Sequence, residues 1–165
     1  QIKREKFSDN YIYASVLLDN DKKNEAKKIF KNIILENKSP YALLSLYQIM
    51  KYENNLTEIS NLIDVLIEKN DDQKDLRDLL IYKKNLLLSE TREENEILLS
   101  MNKIINNESL WKDHALIFLG DYYFSKKKFD NSKEFYQRVL LNNEADPLLK
   151  KEADSRIKRF TNVQN

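Results

Sequence analysis

The sequence predicts an all-α protein built from repeated helix pairs, and three observations carry that prediction. One Gly and two Pro in 165 residues leave few tight hairpin turns, which argues against an all-β fold. Apolar residues return with the i, i+3, i+4, i+7, i+8 spacing of one helix face in segment after segment. Equivalent stretches recur at intervals of 33, 38 and 35 residues, counted from Ala26 to Ile59, Ile97 and Ser132. Self-similarity at that period means stacked supersecondary units.

The first pair is expected over residues 8–36. Tyr11, Ala14, Leu17 and Leu18 form its first stripe, Asp19 to Lys23 its turn, and Ala26, Ile29, Phe30, Ile33 and Ile34 its second stripe. The second pair covers 39–69. It opens with Ser39 as N-cap before Pro40, whose missing N–H costs nothing at the first helical position. Leu43, Leu46, Tyr47 and Met50 follow, then a turn at Tyr52 to Asn55, then Ile59, Leu62, Ile63, Leu66 and Ile67.

The third pair covers 72–106, with Leu76, Leu79, Leu80, Leu86 and Leu87 before a turn at Ser89 to Thr91. Thr91 with Glu94 reads as a capping box, ahead of Ile97, Leu98, Met101, Ile104 and Ile105. The fourth covers 109–142. Ala115, Leu116, Leu119, Tyr122 and Tyr123 precede a turn at Ser125 to Lys128, and Ser132, Phe135, Tyr136, Val139 and Leu140 follow it. Asp146 before Pro147 starts a last helix, 147–160, which carries Leu149, Ala153, Ile157 and Phe160 on one face and reads as a cap. Turns this short force neighbouring helices antiparallel. The whole chain, 1–165, is expected to be one repeat domain.

Composition narrows the function classes. Lys and Arg number 28 against 27 Asp and Glu, a formal charge of +1, so no overall field holds a polyanion. Only six of the cations are the bidentate Arg favoured for phosphate and base contacts. Nucleic acid is therefore not an expected partner. No Cys is present, which removes disulfides, thiolate metal sites and cysteine nucleophiles. A single Gly also excludes any Gly-rich nucleotide loop.

In DHALIFLGDYYFSKKKFDNSKEFYQRVLLNN, Leu116, Leu119, Gly120, Tyr123, Phe129, Tyr136, Val139 and Leu140 follow in the order of the tetratricopeptide consensus, with Ser132 where Ala is usual. The fourth unit thus resembles a tetratricopeptide repeat. Gly in a helix interior costs about 1 kcal/mol relative to Ala, so Gly120 marks a place where the partner helix passes close. The residue 12 positions on is Ser132, and in the first unit Ala14 and Ala26 have the same relation. The second unit departs with Tyr47 against Ile59, and the third with Asn85 against Ile97.

From about Asp75 to Phe160 the chain resembles the YfgM-type family of tetratricopeptide-like bacterial proteins. The likeness rests on DLRDLLIYKKNLLL, a second helix, Trp111 followed by HALIFLGDYYFSKKKFDNSKEFYQRVL, and ADPLLKKEADSRIKRF. The resemblance implies a helical domain on the periplasmic side of the bacterial inner membrane, associated with the Sec translocon and periplasmic chaperones. It also implies a membrane contact made only through an N-terminal anchor. The chain starts at Gln1 rather than Met, which reads as a processed or trimmed fragment.

No Ser/His/Asp set, phosphate loop or metal-ligand spacing is present, so no enzyme activity, cofactor or metal is expected. His114 is the only imidazole. The carboxylate pairs Asp71/Asp72 and Glu93/Glu94 sit at helix starts, where they complement the dipole. Lys126, Lys127 and Lys128 read as a solvated turn, and Tyr122, Tyr123, Phe124, Phe129, Phe135 and Tyr136 as inter-helix packing. The expected function is a protein–protein interaction module, because stacked pairs line a concave wall with their first helices. The residues expected there are Tyr11, Ser15 and Leu18; Leu44, Gln48 and Lys51; and His114, Ile117, Asp121 and Phe124. Their ligand is expected to be an extended or helical peptide segment; the other reading of the same positions is that the neighbouring repeat or the terminal helix covers them. The alternative is an assembly scaffold of the cell envelope, in the manner of outer-membrane assembly lipoproteins or cell-division coordinators with similar repeats.

Overall fold

A computed structural model describes the backbone of residues 2–36 and 40–163 and the side chains of 6–36 and 40–160. Among these residues the chain forms nine helices and no strand: α1 (Ile2–Asp19), α2 (Lys23–Glu36), α3 (Pro40–Met50), α4 (Leu56–Lys69), α5 (Lys74–Leu88), α6 (Glu94–Ile105), α7 (Lys112–Ser125), α8 (Phe129–Leu141) and α9 (Pro147–Val163). The chain divides into two compact units, residues 1–80 and 81–165. The boundary falls inside α5, in the repeat that departs furthest from the consensus.

In unit 1, α2 packs against α1, α3 and α4, and α3 packs against α1 and α4. Ala14 and Ala26, the expected small pair, are both fully buried, with Phe30, Ile33, Ile34, Ile49 and Ile63. Asn55 caps α4, its Oδ1 accepting from the Glu58 N–H at 3.0 Å. The Glu58 carboxylate turns instead to α2, accepting from Lys27 at 2.6 Å and Lys31 at 2.9 Å. Lys27 also donates to Glu53, which accepts the Asn55 N–H at 2.7 Å. At the other end of α4, Lys69 reaches the last carbonyls of α2, Ile34 (3.1 Å) and Leu35. Three lysines thus fasten the two ends of α4 to α2, Lys27 and Lys31 at one end and Lys69 at the other.

This ionic cluster sets an acid limit. Lys27 holds the Glu53 and Glu58 carboxyls below the usual carboxylate range, and the paired carboxylates hold the Lys27 ammonium above its ordinary value. A depressed carboxyl contributes stability above its unfolded pKa of about 4.3 and loses it as pH falls through the folded value. Glu58→Gln is therefore expected to be less stable than wild type at neutral pH, with the difference shrinking steadily below about pH 4. Urea midpoints measured across that range check it. A difference constant with pH would remove the cluster from the acid response.

In unit 2, α7 packs against α6, α8 and α9, and α8 packs against α9. From Ala115 to Tyr123 every residue of α7 except Asp121 is buried, so the helix is surrounded rather than amphipathic. Its glycine has the expected cause: the Ser132 hydroxyl donates to the Gly120 carbonyl at 2.7 Å. A Cβ at Gly120 would fall on the Tyr136 ring, 2.6 Å from Cδ1 and 2.7 Å from Cζ. The second-helix stripes are buried as expected, with Ile97, Met101 and Ile104 on α6 and Ser132, Phe135, Tyr136 and Val139 on α8.

Several local expectations change. Ser39 lies outside the described residues. Asp146 caps as expected, accepting the Leu148 N–H at 2.7 Å, but the Thr91/Glu94 box does not form. Because α6 begins at Glu94, Glu93 takes the N-cap place without a side-chain bond, and Thr91 donates back to Leu88 O at 3.3 Å. Tyr47 is 62% exposed while α3 buries Ala42, Ser45, Leu46 and Ile49. A helix of 11 residues with apolar side chains on every side leaves its inward face to tertiary packing. Likewise α5 exposes Leu86 and buries Leu80, Asn85 and Leu88. Asn85 is accommodated because its Nδ2 donates to Ile81 O and to Ser100 Oγ on α6, each at 2.8 Å.

Candidate functional site

The ten candidate residues fall into two rows, one in each unit. In unit 1, Tyr11 on α1 rests its ring against Phe30 (5.6 Å between centroids) and Tyr41 (5.7 Å). Its hydroxyl accepts from Gln48 Nε2 on α3 at 3.2 Å, which draws the two first helices of the unit together. Leu44 stands one turn before Gln48 and is 44% exposed, and Leu18 is half-buried. Ser15 spends its hydroxyl proton on Tyr11 O at 2.9 Å. Lys51 places its ammonium 4.7 Å from the centroid of the Tyr47 ring. The row therefore offers a half-exposed leucine beside an amide and a phenol, a pairing suited to an apolar side chain and the peptide groups flanking it.

The row in unit 2 is built differently. His114 lies against Trp111 (5.4 Å) and Tyr82 (6.3 Å), and its Nδ1 is buried without a hydrogen-bond partner. Tyr82, on α5, stacks on Trp111 at 6.2 Å and meets Phe118 edge-on at 6.3 Å; burial pushes its hydroxyl pKa up. Ile117 is only 6% exposed and belongs to the core. Asp121 Oδ1 accepts from both Tyr136 Oη and Arg156 Nε, each at 2.7 Å, and Arg156 also pairs with Glu152 at 2.7 Å. Phe124 packs on Phe129 (5.5 Å) and Phe160 (5.3 Å).

Ile117 therefore belongs to the core of unit 2, whereas His114, Asp121 and Phe124 stay partly exposed and meet partners on α5 and α9. Hydrogen bonding to Asp121 raises the Arg156 pKa further above its ordinary value, against the opposing effect of burial. Burial, reinforced by the bond to Asp121, likewise raises the Tyr136 hydroxyl. Burial with Glu94 nearby pushes Tyr123 up to about 12. The raised Tyr136 and Arg156 values favour the protonated forms that donate to Asp121.

Sequence reasoning missed Tyr41, Tyr82 and Arg156, each of which meets a candidate residue from another helix. Tyr82 precedes His114 by 32 positions and Arg156 follows Asp121 by 35, close to the repeat length. That register was the available signal. Some of the charged residues at the helix starts and turns are engaged within their units. Asp71 pairs with Arg77 at 3.2 Å, and Glu94 with Lys128 at 2.6 Å. Lys126 lies over the Tyr122 ring at 5.5 Å. Comparison with protein-family models, curated proteins and solved structures finds no match.

Proposed function

We propose that the chain is a non-enzymatic, tetratricopeptide-like module that holds another polypeptide on the α1/α3 face of unit 1. The observation that carries this reading is the Gln48–Tyr11 hydrogen bond, which aligns two first helices beside the half-exposed Leu44. The packing of α1 with α2, α3 with α4 and α7 with α8, and Gly120 seated under Tyr136, support the tetratricopeptide-like arrangement. The resemblance to YfgM-type proteins supports an inner-membrane parent facing the periplasm, with the Sec translocon or periplasmic chaperones among its contacts. No described helix is long and apolar enough to cross a membrane.

A photo-crosslinking amino acid placed at Leu44 or at Ile117 in the protein expressed in bacterial cells tests the face. Adducts with other polypeptides are expected from Leu44 and not from Ile117, and Gln48→Glu is expected to reduce the Leu44 adducts while the melting temperature stays unchanged. Adducts from Ile117 alone would overturn the choice of face. Fractionation with protease accessibility of the spheroplast surface tests the compartment separately.

A further inference from the structure

Two observations in unit 1 remain unused by that reading. The first is in the sequence: Glu53-Asn54-Asn55-Leu56-Thr57 is an N-x-Thr acceptor motif for N-linked glycosylation, with a carboxylate two residues before the asparagine. The same tripeptide type occurs at Asn37 and Asn107, but neither has an acid at that place. Asn37 lies outside the described residues. Asn107 spends its Nδ2 on Lys103 O at 2.9 Å, closing the end of α6.

The second observation is geometric. Asn54 to Thr57 are all exposed, and the chain before α4 is irregular from Glu53 to Asn55. Asn55 uses Oδ1 as the α4 cap and, among the described residues, leaves Nδ2 without a partner. An N-glycosyl amide keeps its carbonyl oxygen, so a sugar on Nδ2 leaves the cap intact. Asn55 also lines a hollow of about 490 Å³ between α2 and α4. Leu35, Leu62 and Val65 give it an apolar lining, and Thr57 and Asn61, with the paired Lys31 and Glu58, give it a polar rim. Leu35 is 51% exposed there. A sugar ring has this same division, with C–H faces for the leucines and hydroxyl or acetamido groups for the amide and hydroxyl rim.

We infer that Asn55 is an acceptor for an N-linked glycan, and that the first sugar, of the 2-acetamido class, seats in the hollow between α2 and α4. The donor is a lipid-linked oligosaccharide diphosphate. Asn55 Nδ2 attacks the anomeric carbon; the N–C bond forms, the C–O bond to the diphosphate breaks, the amide proton passes to a carboxylate of the transferase, and the lipid diphosphate leaves. Glu53 is held by Lys27 and by the Asn55 N–H in the folded chain, so the unfolded chain entering the compartment is the better substrate. The inference uses the periplasmic placement only to say where donor and acceptor meet.

The test is transfer in a reconstituted mixture of oligosaccharyltransferase, a lipid-linked oligosaccharide with a 2-acetamido sugar at its reducing end, and the full chain, urea-unfolded and then diluted. Peptide mass spectrometry should find the added mass at Asn55 and not at Asn107, and Asn55→Gln or Thr57→Ala should abolish it. After refolding, nuclear Overhauser contacts are expected between the acetamido methyl and the Leu35 and Val65 methyls. An unmodified Asn55 in a mixture that glycosylates a control acceptor peptide overturns the inference. So does a glycosylated chain that no longer folds. Transfer in the mixture with an unmodified Asn55 in protein from the native cells supports the acceptor assignment and counts against the periplasmic placement, so the two readings fail separately.

Discussion

Gly120→Ala is expected to destabilise the protein by roughly 1–3 kcal/mol, reversing the usual gain from such a change. At an unconstrained helix interior the same substitution stabilises by about 1 kcal/mol. Here the new methyl falls within 2.6 to 2.7 Å of ring carbons of Tyr136, and that ring has nowhere simple to go. Its hydroxyl is tied to Asp121, its ring meets Phe160 at 6.3 Å, and it is 1% exposed. Relief requires separating α7 from α8, which also strains the Ser132–Gly120 bond. Overpacking of this kind costs about 1–3 kcal/mol and occasionally more. Denaturant midpoints decide the sign. A second variant, Gly120→Ala with Tyr136→Leu, removes the ring, and its loss should fall short of the sum of the two single losses by more than about 1 kcal/mol. A stabilised Gly120→Ala, or strict additivity, would contradict the close approach.

Phe160→Ala is expected to cost about 3–5 kcal/mol, the range for deleting a buried phenylalanine. Phe160 is 4% exposed and contacts Phe124, Phe129 and Tyr136 at ring separations of 5.3 to 6.3 Å, with the Lys133 ammonium 5.0 Å from its ring centroid. Its loss leaves α9 held by Ala153, partly buried Leu149 and Ile157, and the Arg156–Asp121 joint. The same variant should therefore make Phe124 more accessible to solvent, seen as a loss of hydrogen-exchange protection through α9 before the rest of unit 2 opens. A loss below about 1 kcal/mol would mean that α9 is not seated as described.

Most of the helix layout was legible because second helices carry an unbroken apolar stripe. Ala26 to Ile34, Ile59 to Leu66 and Ile97 to Ile105 turn inward where the spacing puts them. Gly120 was legible for a different reason: an expensive residue in a helix interior needs a cause, and Tyr136 is that cause. The first helices were harder. On α3 nearly every residue is apolar, so no period distinguishes Tyr47 outside from Ile49 inside. On α5 the buried face includes the polar Asn85, whose neutralising partner, Ser100, lies on another helix.

The candidate rows were only half legible. Helix geometry located Tyr11, Leu44 and Gln48 on neighbouring faces, and the Gln48–Tyr11 bond joins them. The same geometry says nothing about what a later helix brings to a face. Arg156 and Phe160 therefore converted the outward positions Asp121 and Phe124 into contacts. The cap that closes unit 2 carries a charge and a ring aimed at positions that the repeat pattern leaves outward.

The burial of α7 on nearly every side has a consequence for how unit 2 opens. A helix with one face to water can lose amide protons through small local breaths, whereas one enclosed by α6, α8 and α9 cannot. The amides between Ala115 and Tyr123 should exchange only through disassembly of the whole unit, so their rates report its total free energy of opening.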